Sequence, residues 1–172
     1  MELPLILLHR WAVELVYSID TNIYFDWWTR RYPNDVFPSV RKRVEASIAA
    51  GRWGAAEKVF DEIQALGAPL LKNWARANRA QFINLDAALL AEADAISKKY
   101  PDIIDPNAAA EEADRHVIAL ARVKGWTVVT HETPAIDKRY STSRLFIPDV
   151  CNLLKVPCID LLELMRREKW TF

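Results

Sequence analysis

An α/β fold, a central parallel sheet covered by helices on both faces, is predicted by the alternation of short β-branched runs with longer stretches of helical spacing. Two runs carry most of that expectation. Leu15 to Ile19 is an apolar run ending at Asp20, and Thr127 to Thr130 is another that follows an apolar helix pattern closed by Gly125, where a C-cap glycine belongs. The third observation is length: 172 residues suit one domain with a sizeable core.

Taken in order, residues 1–14 are an N-terminal extension of unassigned role, in which Trp11, Val13 and Leu15 already alternate with polar or small neighbours. After the first strand, Thr21-Asn22 supplies N-cap chemistry for IYFDWWTRR, which Pro33 closes. Pro38 opens a second helix that ends at Gly51. Trp53 to Ala56 is a short strand candidate, and EKVFDEIQAL after it keeps helical spacing through Val59, Ile63 and Leu66. Residues 68–81 read as a further helix, FINLD as a strand ending in the cap-like Asp86, and AALLAEADAISKKY as a helix stopped by Pro101. PDIIDPN is a loop leading to the helix from Asp114 to Lys124. TPAIDKRYSTSR lacks periodicity and reads as an exposed loop, mobile without a partner; Pro148 starts a short helix, VPCID is the last strand and LLELMRREKW the closing helix.

Composition excludes several functions. Lys plus Arg and Asp plus Glu both total 23, so any nucleic acid must be held by a local patch rather than a global basic field. With four glycines there is no Gly-rich phosphate cradle. Cys151 and Cys158 lack the companions of a zinc site. No run is long enough to span a membrane and no signal peptide is framed at the start, so a reduced, cytoplasmic protein is expected.

Singly, the acids have ordinary readings: Asp20 caps a helix, Asp114 complements a helix dipole, Glu62 is a surface residue and Glu132 a loop residue. Jointly, Asp20 and Glu132 both follow strands, Asp114 begins the helix between them, and Glu62 lies about two turns into the helix after another strand, so one face of the sheet can collect all four. Crowded carboxylates raise one another's pKa unless a cation neutralises them, and hard oxygen donors suit Mg²⁺ or Mn²⁺ better than zinc. His116 and His131 adjoin two of these acids, with ligand, supporting and surface roles all open.

SIDTN at 18–22, Glu62 in VFDEI, ADRHVIALA at 113–121 and VVTHE at 128–132 resemble, in order and spacing, the acidic motifs of the PIN-domain superfamily, over about nine tenths of the chain. The resemblance implies one PIN-like three-layer α/β/α domain with strand order 3-2-1-4-5. It also implies a Mg²⁺- or Mn²⁺-dependent ribonuclease that cleaves single-stranded RNA by in-line attack of water, often the toxin partner of an antitoxin. Carried over residue by residue, the metal-holding and catalytic acids are Asp20, Glu62, Asp114 and Glu132, with Asn22 as a polar helper. The family more often has Asp at the fourth position.

Candidate phosphate contacts are Arg30, Arg31, Arg41, Lys42, Arg43, Lys138, Arg139 and Arg144, which can equally form solvated charge runs. Trp27-Trp28 cannot both point straight into one core, and a homodimer or antitoxin surface fits the second ring. The alternative function is a non-catalytic PIN-like binding or scaffold protein. A phosphotransfer domain with an Asp nucleophile is disfavoured, because Asn22 stands where a second Asp is needed.

Overall fold

The computed structural model describes residues 16–108, 112–140 and 142–172. Five parallel strands, β1 (Tyr17–Ile19), β2 (Trp53–Ala56), β3 (Phe82–Ile83), β4 (Thr127–Val129) and β5 (Cys158–Ile159), form one sheet in the order β3-β2-β1-β4-β5. The predicted architecture and strand order are therefore those observed. Leu15 and the extension at 1–14 lie outside the described residues.

β1 is central because every residue in it is buried, as are those of β2 and β4 beside it. A strand covered on both faces has no use for polar alternation. Registration is tight: Tyr17 pairs with Trp53 and Thr127, and Ile19 with Val129. The outer strands β3 and β5 are two residues long, so little unpaired edge is left for another chain to extend.

Connections β1 to β2 to β3 run one way across the sheet, through α1 (Thr21–Phe25), α2 (Pro38–Ala49), α3 (Glu57–Leu66) and α4 (Pro69–Ala77). The chain then crosses back past β1 through α5 (Ala87–Lys99) and α6 (Asp114–Lys124) to β4, and reaches β5 through α7 (Ile147–Leu154). Right-handed crossovers put these two groups of helices on opposite faces, which makes three layers. The closing helix, α8 (Leu161–Arg167), leads to Glu168, which accepts a hydrogen bond from the Tyr17 hydroxyl (3.1 Å) and pairs with Arg52 (2.6 Å).

Two segments differ from the sequence expectation for physical reasons. The first helix is α only as far as Phe25; Asp26–Arg30 is a π-helical turn in which the Arg31 amide donates to Asp26 O five residues back. The wider turn lets Trp27 bury completely while Trp28 stays half-buried, stacked edge-on to it and on Trp74. The described residues of the next loop, 133–140 and 142–146, contain a 3-10 turn and backbone anchors that a run without periodicity does not announce: Ala135 N–H donates to both Asp149 oxygens and Leu145 N–H to Asp102 O. Asp149 also accepts from Phe146 N–H, so it is a first-turn residue of α7 with a second role as loop anchor. No helix among the described residues is long and apolar enough to cross a membrane.

Gly125 ends α6 at φ 70°, a left-handed conformation in which any Cβ is strained. Gly125→Ala is expected to destabilise the fold by about 1 kcal/mol, seen as a lower urea midpoint at unchanged slope; an unchanged midpoint would show that the cap is not strained.

Candidate functional site

Strand order reverses about β1, so a crevice opens outside the carboxyl ends of β1 and β4. Pairing continues one residue beyond β1, since Asp20 N–H donates to Val129 O (3.0 Å), and this sets Asp20 beside Thr130. The Thr130 hydroxyl donates to Asp20 Oδ2 (2.7 Å) and the Thr21 amide to Oδ1 (2.6 Å), so Asp20 is both the cap of α1 and a member of the crevice. Thr130 Oγ1 in turn accepts from Asn22 Nδ2 and from Glu132 N–H, each at 3.0 Å, while Asn22 Oδ1 accepts from His131 N–H (3.0 Å). Asn22 and Thr130 thereby lock the end of β4 to the start of α1.

Glu62 reaches in from α3. It accepts from Ala113 N–H (2.8 Å) with one oxygen and from the Thr21 hydroxyl with the other, tying together α3, α1 and the entry to α6. Glu132 accepts from Ile147 N–H at the first residue of α7 (2.9 Å). Asp114 opens α6, and its Oδ2 is buried without a hydrogen-bond partner, 4.0 Å from the Arg144 guanidinium.

Burial is the first cause of a raised pKa at each of the four acids, and repulsion from neighbouring carboxylates adds to it. Asp20 is pushed up to about 8 by burial and then by Glu132 and Glu62, against the hydrogen bonds from Thr130 and Thr21. Asp114 is held well above the ordinary carboxylate range by burial and by Glu132, Asp20, Glu112 and Glu62. Glu62 rises through burial with Glu112 and Asp61 adding; Glu132 rises through burial and Glu112, opposed by the Ile147 amide, Lys138 and Arg144. The residues singled out in the sequence thus share one electrostatic environment.

Among the described residues, no three acid, histidine or cysteine side chains stand together as a ready set of metal ligands. Both oxygens of Asp20 and of Glu62 and one of Glu132 accept hydrogen bonds from the chain itself. The donor chemistry nevertheless fits a divalent cation: hard oxygens, and at Asp114 a buried carboxylate oxygen that no hydrogen bond satisfies.

The histidines lie elsewhere. His116 is buried within α6. His131 turns towards the π-helical segment, its Nδ1 3.0 Å from Asp26 Oδ2, and burial followed by Arg31 lowers its pKa against the opposing pull of Asp26. Of the cations, Arg30 and Arg31 are exposed beside Asp26, Arg41 lies over the Trp28 ring and pairs with Glu45, and Lys42, Arg43 and Arg139 are exposed. Lys138 sits over the Phe146 ring (3.9 Å), and Arg144 binds carboxylates.

Sequence reasoning missed Thr130, Thr21, Glu112 and Asp105. Thr130 had one visible signal: it is the polar residue that ends an apolar strand next to a named acid. The partners of Arg144, 32 and 39 residues away, left none.

The chain belongs to the family described as a domain of unknown function (DUF4411), which matches residues 17–172. No curated protein matches it.

Because the folded state keeps a proton on Asp20 up to about 8, while the unfolded chain releases it near 3.8, this group's stabilising contribution is complete at acid pH and is lost as pH rises across that window. The melting temperature in EDTA should therefore fall between pH 5 and pH 8, and Asp20→Asn should flatten the fall. Equal slopes for the two proteins would remove Asp20 as the source.

Proposed function

We propose that this chain is a PIN-like, metal-dependent endoribonuclease acting on single-stranded RNA, with Asp20 and Asp114 as the central ligands of Mg²⁺ or Mn²⁺. The observation that carries the reading is the buried Asp114 oxygen without a hydrogen-bond partner, its nearest cation the Arg144 guanidinium at 4.0 Å, in a crevice where Glu132 and Glu62 raise the pKa of both Asp20 and Asp114 at the reversal point of the sheet. Buried polar atoms are ordinarily paired, so one facing like charges points to a cation as its partner.

When bound, the ion would supply Lewis-acid stabilisation of charge on the phosphodiester and a position for the attacking water. The rest is the work of the chain. Thr130 and the Thr21 amide fix both oxygens of Asp20, so its carboxylate cannot swing away. Thr21 and Ala113 do the same for Glu62, and Ile147 N–H orients Glu132; these two would serve as outer acids of the site. Arg30, Arg31, Lys42, Arg43, Lys138 and Arg139 are the side chains proposed to position backbone phosphates without reading sequence. The toxin role and an antitoxin partner belong to this reading through the resemblance, and a homodimer or antitoxin surface through the half-buried Trp28 ring.

The alternative, a non-catalytic PIN-like binding protein, has one observation in its favour: the hydrogen bonds already made to Asp20 and Glu62. A gel assay on a panel of single-stranded RNAs with Mn²⁺ and with EDTA separates the two. Cleavage by the native protein that EDTA stops and Asp114→Asn abolishes, with the fold retained, is the expected outcome; Mn²⁺ binding without cleavage of any RNA favours the binding protein, and neither binding nor cleavage overturns both metal readings.

Thr130→Val tests the supporting shell independently. Losing the partner that orients a ligand should weaken Mn²⁺ binding about 10- to 100-fold, measured by calorimetry, and an unchanged affinity would mean that Asp20 does not depend on it.

A further inference from the structure

Resting on the metal-dependent reading, we infer that Arg144 is a built-in counter-ion of the acidic crevice, standing where a second cation would, so that the site takes a single divalent ion. Three carboxylates surround its guanidinium. Nη1 donates to Asp105 Oδ2 (2.7 Å), Nη2 donates to both oxygens of Glu112 (2.9 Å each), and Nη2 lies 4.0 Å from Asp114 Oδ2, outside hydrogen-bond reach but close enough to act through charge. Its influence extends to Glu132, whose pKa it opposes in rising.

The placement is enforced by backbone as well as side chain. Leu145 N–H, next in sequence, donates to Asp102 O (3.0 Å), and the amide of Arg144 donates to Thr142 Oγ1 (3.1 Å). Glu112 also accepts from Asp105 N–H (3.2 Å), so the two residues whose carboxylates hold the guanidinium are bonded to each other. An ammonium can lose its proton when crowded by other cations; a guanidinium stays charged at every accessible pH. A positive charge that cannot be switched off thus flanks Asp114 on the side of Glu112. An ion held between Asp114 and Asp20 leaves this pair intact, whereas a second ion on the Glu112 side would meet Arg144 directly and would have to displace hydrogen bonds to two carboxylates. The planar fork matters as well as the charge, because its two prongs reach different carboxylates, Nη1 that of Asp105 and Nη2 that of Glu112.

The same geometry separates Arg144 from the other cations of its loop. Arg139 is exposed and available to a ligand, while the guanidinium of Arg144 is turned inward on Asp105 and Glu112. Its contribution is to the charge balance of the crevice rather than to the grip on a phosphate chain.

The test is the stoichiometry of Mn²⁺, added alone to the full chain and followed by the paramagnetic resonance of free Mn²⁺ and by calorimetry. One ion per native chain, a second ion in Arg144→Gln, and one ion again in Arg144→Lys, which keeps the charge, are the expected results. Two ions in the native protein with Arg144 in place, or a single ion in a folded Arg144→Gln, would overturn the inference while leaving the ribonuclease reading standing. No bound ion in the native protein would instead remove the reading on which it rests. Circular dichroism of each variant establishes folding, and if Arg144→Gln does not fold, the native count and Arg144→Lys decide: two ions in either overturns the inference.

Discussion

Gathering like charges in a buried crevice is the constraint to which the upper end of this molecule is built. A buried carboxylate is costly unless donors or a cation satisfy it. Here the donors come from four separate elements: the Thr130 hydroxyl at the end of β4, Thr21 at the start of α1, the Ala113 amide at the entry to α6 and the Ile147 amide at the start of α7. Three helices therefore begin at the crevice, and the positive ends of their peptide dipoles oppose the acids. The parallel topology accounts for this, because a helix that leads back into a parallel strand runs antiparallel to it and so starts at the carboxyl end of the sheet.

The opposite end of the sheet is organised by packing instead. Tyr24 lies against Trp53, Trp74 and Phe82, accepting from the Trp53 indole (3.1 Å) and donating to Gln81 (2.9 Å), so the hydroxyl and the Trp53 indole are buried in a large aromatic cluster with their hydrogen bonds made. Glu168 closes the bottom by holding Tyr17 and Arg52 together. With one end fixed by apolar contacts and the other by a polar network, substitutions in the crevice can alter its charge without reaching the core.

Much of this was legible in the sequence, and the reasons are specific. β1, β4 and α6 announce themselves because a fully buried strand needs an unbroken apolar run and a helix end needs Gly125. Asp20 and Glu132 were findable because both follow such strands. The π-helical turn at Asp26–Arg30 was not, since the same residues suit a regular α-helix and the choice is made by burial of Trp27 against Trp74. Nor was the role of Arg144, which depends on Asp105 and Glu112 being brought to it by the tertiary fold. β3 and β5 were legible as FINLD and VPCID, but their bounds were not, since each strand keeps only two residues of its run.

The pairing of β1 with β4 has a consequence for the order in which the molecule comes into being. Thr130, which holds Asp20 in place, lies 110 residues after it in the chain. At roughly 5–20 residues per second, a ribosome needs several seconds or more to supply that partner once Asp20 has been made. During this interval the central strand has β2 on one side and nothing on the other, and the acids of its crevice are not yet gathered. Whatever chemistry the crevice performs is therefore withheld from a nascent chain and begins only when the later half of the sheet has been delivered.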